Sequence, residues 1–147
     1  MMNLKRLLIL LLLFCCISCD ISKPFAINGK KEHTISSECG VMKVWGFSFG
    51  VRTTIRFQFD GEFLVDTDSL KIKTLRNNED IRNLCFWQKG EKLTSTKIRV
   101  KDGDILTLRF DSIYQQKYSI ISLLPSEFIK CNDKPIINDT IDIQYLR

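Results

Sequence analysis

Apolar and polar side chains alternate along most of the chain, and a period of two residues is typical of half-buried β-strands. The clearest run lies between Val51 and Asp60, where Val, Thr, Ile and Phe alternate with Arg, Thr, Gln and Asp. No later segment keeps the three- and four-residue spacing of an amphipathic helix. The pattern predicts further strands over residues 41–49, 69–75, 84–88, 97–101, 105–110, 118–123 and 140–146.

Turn residues separate these runs and suggest how the strands pair. An Asp-Gly dipeptide at 60–61 marks a turn. Placing Phe59 opposite Phe63 and Phe57 opposite Val65 keeps all four apolar side chains on one face of a sheet. We therefore predict a hairpin at this point.

About seven to nine short strands at this spacing predict an all-β protein, an antiparallel β-sandwich. An immunoglobulin domain would also carry a Cys, a core Trp and a second Cys at characteristic separations. Here Trp45 follows Cys39 by six residues, and Trp87 follows Cys85 by two. The expected sandwich is therefore immunoglobulin-like in architecture only.

The amino terminus has a different pattern, with no alternation. Lys5 and Arg6 precede eleven uninterrupted apolar residues, 7–17. As a helix this run would be roughly 16 Å long, about half the hydrocarbon thickness of a bilayer. A basic start followed by a short apolar stretch indicates an export signal, so residues 1–18 are left out of the fold prediction.

The end of this signal separates its three cysteines, because only Cys19 follows a small residue, Ser18. The sequence Cys16-Ile17-Ser18-Cys19 resembles the lipobox of bacterial lipoproteins, with Cys16 standing where Leu is usual. The resemblance implies cleavage before Cys19, a diacylglyceryl thioether on its sulfur and an acyl group on its new amine. Two or more acyl chains anchor a protein stably. The alternative is an ordinary secretory signal in which Cys19 has no role.

The lipobox interpretation implies a lipid-anchored protein of the bacterial cell envelope, in the outer membrane. It divides the chain into a signal peptide (1–18), a lipidated cysteine with a polar tether (19–38) and a single β-sandwich domain (39–147). Loss of Lys5 and Arg6 lowers the formal charge from +5 to +3, since 20 basic residues remain against 17 acidic ones. This balance predicts no nucleic-acid partner.

Three cysteines remain after Cys19. In an oxidising envelope one pair can close and leave one thiol free. Cys39 and Cys131 lie in loop-like surroundings and are the candidate disulfide, whereas Cys85 lies in an apolar run and is expected as a small buried hydrophobe.

Groups that could support catalysis or hold a metal are sparse in the sequence. His33 is the only histidine and lies in the predicted tether. The acids of the VDTDS and KDGD stretches fall in predicted turns, where Asp caps backbone amides. We therefore expect no enzyme, cofactor or metal site. A small hydrolase or thiol enzyme stays an alternative, and it would require a pocket that brings acids or a thiol together.

Aromatic side chains are the candidates for ligand binding. Alternation places Trp45, Phe47 and Phe49 on one face of a strand, and the simplest explanation is that this face is buried in the core. If Trp45 or Trp87 were exposed instead, its flat ring beside polar groups would suit a sugar.

Three short motifs resemble the O-glycosylation acceptors of Bacteroidetes-type bacteria, Asp followed by Ser or Thr and an aliphatic residue. The candidate acceptors are Ser69, Ser112 and Thr140. The alternative is that such motifs only start strands. Taken together, the sequence predicts a membrane-anchored, non-catalytic binding or structural module, with a glycan-binding lipoprotein as the first alternative.

Overall fold

A computed structural model describes residues 3–10, 23–74, 81–112, 120–136 and 140–144. Antiparallel β-sheets make up most of the described residues, and the predicted all-β class is confirmed. The immunoglobulin-like arrangement stays a prediction. Within these ranges the strands form one sheet of seven and two sheets of four. Several strands are only two residues long, and short pieces of this kind are not visible in an alternation pattern.

The large sheet is built around long strands whose alternation the sequence predicts. Its strands in spatial order are β1 (Lys23–Pro24), β4 (Gly40–Phe49), β5 (Arg52–Gly61), β11 (Ile105–Ser112), β8 (Ile81–Gln88) and β9 (Glu91–Lys92), with β3 (Glu32–Ser37) also paired to β4.

Two smaller sheets complete the fold. One has the order β10 (Lys97–Val100), β6 (Phe63–Asp66), β13 (Ile129–Cys131) and β14 (Lys134–Pro135), and the other has β2 (Ala26–Ile27), β15 (Ile141–Gln144), β12 (Ile120–Leu123) and β7 (Ile72–Thr74). A 3-10 turn, Thr67–Ser69, and one turn of α-helix, Pro125–Phe128, lie between strands.

All three sheets contribute to one hydrophobic core. Phe57 and Phe86 from the large sheet contact Phe128, with ring centroids 5.7 and 6.4 Å apart. Phe128 is fully buried, so the short helical turn serves to place an aromatic ring between layers. Edge-to-face pairs such as Phe57 with Phe128 add stability beyond the apolar area they bury.

The predicted hairpin between β5 and β6 is wrong. Phe57 lies opposite Val44 of β4 and Leu106 of β11, while Val65 of β6 pairs with β10 and β13 in a different sheet. The rings of Phe59 and Phe63 still contact each other, at 5.4 Å between centroids. The Asp-Gly dipeptide is therefore a bend at which the chain leaves one sheet for another.

The predicted tether, 19–38, also differs from the structure. From Lys23 onward this segment forms β1, β2 and β3, and Phe25 and Ile27 are buried in the core. The folded domain therefore includes residues 23–38, and three buried apolar side chains, Phe25, Ile27 and Ile35, dock this segment against the sheets.

Near the amino terminus, within the segment predicted as a signal peptide, residues 4–10 are helical and solvent-exposed. Over the described parts of the chain, no helix combines the length and the apolar character needed to cross a membrane.

Candidate functional site

The outer face of the large sheet carries the aromatic residues that the sequence singles out. Along β4, Met42 and Val44 are buried, while Trp45 and Phe47 are half-buried and Phe49 is exposed. The expectation that the Trp45 face lies in the core is therefore wrong. β4 has apolar residues on both faces, and the sheet buries the opposite face.

Trp45 and Trp87 lie in one row across this outer face. The strand registers set Trp45 opposite Arg56, Arg56 opposite Thr107, and Thr107 opposite Trp87. All four side chains are half-buried. Three strand spacings separate the two tryptophans, which is about 14 Å at 4.8 Å per strand. We call this set the Trp–Arg row.

Arginines cover aromatic rings on the same face. The guanidinium carbon of Arg56 lies 5.3 Å from the ring centroid of Phe47, and that of Arg109 lies 5.1 Å from the ring of Trp87. Both are within the range of cation–π attraction. The contacts place two positively charged guanidinium groups against aromatic rings of this face.

A cavity of about 190 Å³ opens beside Trp87, at the end of the row. Within it, the indole Nε1–H of Trp87 donates a hydrogen bond to Sγ of Cys85, at 3.2 Å. Its other lining residues include Arg52, Asn83, Arg109 and Asp111. The cavity is smaller than the 300–1,000 Å³ of typical small-molecule pockets.

Charged groups at this cavity are partly paired. Asp111 accepts a hydrogen bond from Asn83 Nδ2 at 2.8 Å, and its other oxygen lies 3.6 Å from Arg52 Nε. Nε of Arg109 is buried and has no hydrogen-bond partner in the described part of the chain. A buried donor without a partner is costly, so Arg109 is the group here that an added oxygen acceptor would stabilise most.

The structure brings Cys39 and Cys131 together as a disulfide, with Cα atoms 5.8 Å apart. Among the described cysteines, Cys85 has a free thiol. It is half-buried on the outer face of β8, not a core residue, because β8 turns Phe86 inward.

The acidic residues of the predicted turns accept hydrogen bonds from groups within the same turns. Asp66 accepts hydrogen bonds from the amide of Asp68 and the hydroxyl of Ser69, at 3.3 and 3.0 Å. Asp104 accepts from the amide of Lys101 at 3.0 Å. Across the described ranges, no group of three or more His, Cys, Asp or Glu side chains could hold a metal ion.

His33 lies on β3 rather than in a tether, and its Nε2 is 3.3 Å from Nδ2 of Asn28. Cys85 lines the cavity beside Trp87, and His33 does not. The geometry thus offers no specific support for a thiol–histidine pair.

The candidate glycosylation residues differ in accessibility. Ser112 is only 3% exposed, so a sugar there would displace core packing, and the structure contradicts Ser112 as an acceptor in the folded protein. Ser69 is half-buried in the 3-10 turn, and Thr140 is exposed. Cys19 lies outside the described residues.

A wider groove of about 620 Å³ lies at the far end of the large sheet, where β5 leads into β6. Charged and amide side chains dominate its lining, including Lys89, Arg99, Lys101 and Lys130 with Glu62, Asp104 and Asp133. Basic and acidic side chains are nearly equal in number here. The groove therefore favours neither anionic nor cationic ligands as clearly as the Trp–Arg row favours aromatic stacking and anions.

The sequence pattern indicates the two tryptophans but not Arg56 and Arg109. Both arginines occupy polar positions of alternating strands, which is where solvent-facing charges are expected. Only the pairing of β5 with β11 and of β11 with β8 shows that they lie between or above aromatic rings.

No family model, curated protein or solved structure matches this chain.

Proposed function

We propose that this protein is a lipoprotein of the bacterial cell envelope, held to the outer membrane by acyl chains on Cys19, whose β domain is a non-catalytic binding module. The lipobox-like sequence before Cys19 supports the anchor. Two or more acyl chains give stable membrane attachment, which a soluble domain of this size otherwise lacks.

The Trp–Arg row carries the binding part of the proposal. Two indole rings about 14 Å apart on a sheet face provide separate stacking surfaces for an extended ligand. Between them, Arg56 supplies hydrogen-bond donors and Thr107 supplies a hydroxyl. Sugar rings combine apolar faces with hydroxyl edges, so an oligosaccharide is the ligand class that this surface suits best.

The guanidinium groups of Arg56 and Arg109 favour a particular kind of oligosaccharide. Arg56 and Arg109 lie against the aromatic rings of the same face. Arginine pairs with carboxylate and phosphate in a bidentate geometry that neutral sugars do not offer. We therefore infer that a glycan bearing carboxylate or phosphate groups binds more tightly than its neutral counterpart.

The anchor is tested by mass spectrometry of the membrane fraction. The amino-terminal peptide of the mature chain should begin at Cys19 and carry the added acyl mass. Cys19→Ala should remove both the cleavage and the membrane retention, while Cys16→Leu should leave both intact. A mature chain that begins at Cys19 without acyl mass would contradict the anchor.

The binding face is tested with matched panels of neutral and acidic oligosaccharides. Trp45→Ala and Trp87→Ala should each weaken binding by about tenfold, the equivalent of one stacking contact. Trp45→Phe retains a flat ring and should retain most of the affinity. Binding that is unchanged in both alanine variants would exclude this face as the glycan site.

A further inference from the structure

The connection between β4 and β5 forms an exposed apolar tip at one end of the large sheet. We define this hairpin tip as Phe49, Gly50 and Val51. The side chains of Phe49 and Val51 are 50% and 55% exposed. Gly50 has a φ of +58°, which lets the two strands turn sharply and project both apolar neighbours outward. Arg52 follows directly, with 59% of its side chain exposed.

The chain enters the fold at the same end. β1 pairs with β4 so that Lys23 lies opposite Ser48, the residue before Phe49. Cys19 precedes Lys23 by four residues. Four fully extended residues span at most about 14 Å. An anchor at Cys19 would therefore act within about 14 Å of Lys23, at the end of the large sheet that carries the hairpin tip.

The opposite end of the large sheet is too far from Lys23 to lie beside an anchor at Cys19. β4 runs ten residues from Phe49 to Gly40. At about 3.3 Å per residue, these strands are roughly 30 Å long. The wider groove around Lys101 lies at that distant end. An anchor at Cys19 thus brings the hairpin tip, and not the groove, to the lipid surface.

We propose that the hairpin tip is a second membrane contact, with Phe49 and Val51 entering the interfacial region of the bilayer and Arg52 lying among lipid phosphates. This inference rests on the proposed anchor at Cys19. Two apolar side chains bind a membrane weakly by themselves, but the anchor supplies a high effective concentration at the surface.

The chemistry of the tip matches a lipid surface. Exposed aromatic and aliphatic residues beside a cation are the composition that interfacial segments use. Arg52 is paired only loosely with Asp111, at 3.6 Å, and its exposed guanidinium can reach a phosphate. The contact would hold the domain upright, leaving the Trp–Arg row accessible along the side of the molecule.

The test uses the full acylated chain in vesicles of phosphatidylethanolamine and phosphatidylglycerol. A photoreactive benzophenone amino acid is placed at position 49 or, as a control, at position 105. Ile105 is also an exposed apolar residue, at 39%, but it begins β11 opposite Gln58, toward the far end of the sheet. We expect lipid adducts when the photoreactive residue is at position 49, and none when it is at position 105.

Two measurements separate this inference from the anchor. The mass of the amino-terminal peptide reports acylation in the same samples. Acylated protein that gives no lipid adducts at position 49, or equal adducts at both positions, would overturn the tip contact and leave the anchor standing. Adducts from position 49 to a second copy of the protein would also overturn it. Absence of acyl mass would count against the anchor and, with it, against the tip contact.

Discussion

Cys39 and Cys131 join the turn between β3 and β4 to the end of β13, across a sequence separation of 92 residues. The bond connects the large sheet to one of the small sheets, close to the bend at Gly61 where the chain also passes from one sheet to the other. It is therefore a covalent link between two layers of the fold.

We expect this disulfide to stabilise the protein mainly through the unfolded chain. Closing a loop of this length is worth about 4.6 kcal/mol in the chain-entropy model. The double variant Cys39→Ser with Cys131→Ser should lower the free energy of unfolding by about that amount in urea titrations. Cys85→Ser, which removes a free thiol, should leave it nearly unchanged. Equal losses in both variants would contradict the assignment.

Gly61 should tolerate no side chain. It lies opposite Gly40 with a φ of +141°, and a Cβ there would overlap the carbonyl oxygen of Cys39. Gly61→Ala should cost at least about 3 kcal/mol, from backbone strain and steric overlap together. Gly103→Ala is the control, because Gly103 also has a positive φ but open space around it. It should cost only about 1–2 kcal/mol.

Asn28 connects the amino-terminal strands to the last described strand. Its Oδ1 accepts a hydrogen bond from the amide of Asp142 at 2.8 Å, and its Nδ2 donates to the carbonyl of Thr140 at 3.1 Å. Asn28→Ala should cost about 2 kcal/mol, mainly from the loss of these two hydrogen bonds. It should also speed hydrogen exchange at the amide of Asp142.

Asn83 provides the comparison for Asn28. It has a similar positive φ, +55° against +49°, but its side chain makes one exposed hydrogen bond, to Asp111. Asn83→Ala should therefore cost less than Asn28→Ala in the same denaturation assay. The reverse order would show that backbone conformation, and not the hydrogen bonds to β15, explains the loss.

Arg56 and Arg109 offer a matched pair for the outer face. Both lie over an aromatic ring, and each cation–π contact is worth about 0.5–1 kcal/mol. Arg109 also buries an Nε–H without a partner among the described residues. Arg109→Met should therefore cost less stability than Arg56→Met, or even increase it. A larger loss at Arg109 in urea titrations would imply that Nε has a partner after all, such as an ordered water.

The sequence predicts the strands of this fold better than their pairing. The alternation from Thr53 to Phe59 identifies β5 and its buried face, because only one face there is apolar. In β4 both faces are apolar, with Val44 on one side and Trp45 on the other, so alternation cannot decide which is buried. The partner strands decide, since Arg56 lies opposite Trp45 and faces outward with it.

Pairing over long separations explains the remaining differences. Asp60 and Gly61 have the composition of a hairpin turn, yet β6 pairs with β10 and β13. Likewise, each tryptophan of the Trp–Arg row is recognisable alone, but their common row depends on β8 pairing with β11, which no local pattern indicates. Local composition predicts where the chain bends. The sheet in which the next strand pairs depends on packing across the whole core.

The pairing of β2 with β15 has a consequence for how the protein becomes folded. Ala26 and Ile27 belong to the first strands of the domain, and their partners, Gln144 and Ile143, are among the last residues described. During synthesis from the amino end, this sheet cannot close until residue 144 has emerged. Contacts of such long sequence separation also form slowly. The arrangement therefore makes closure of this sheet a late step in folding.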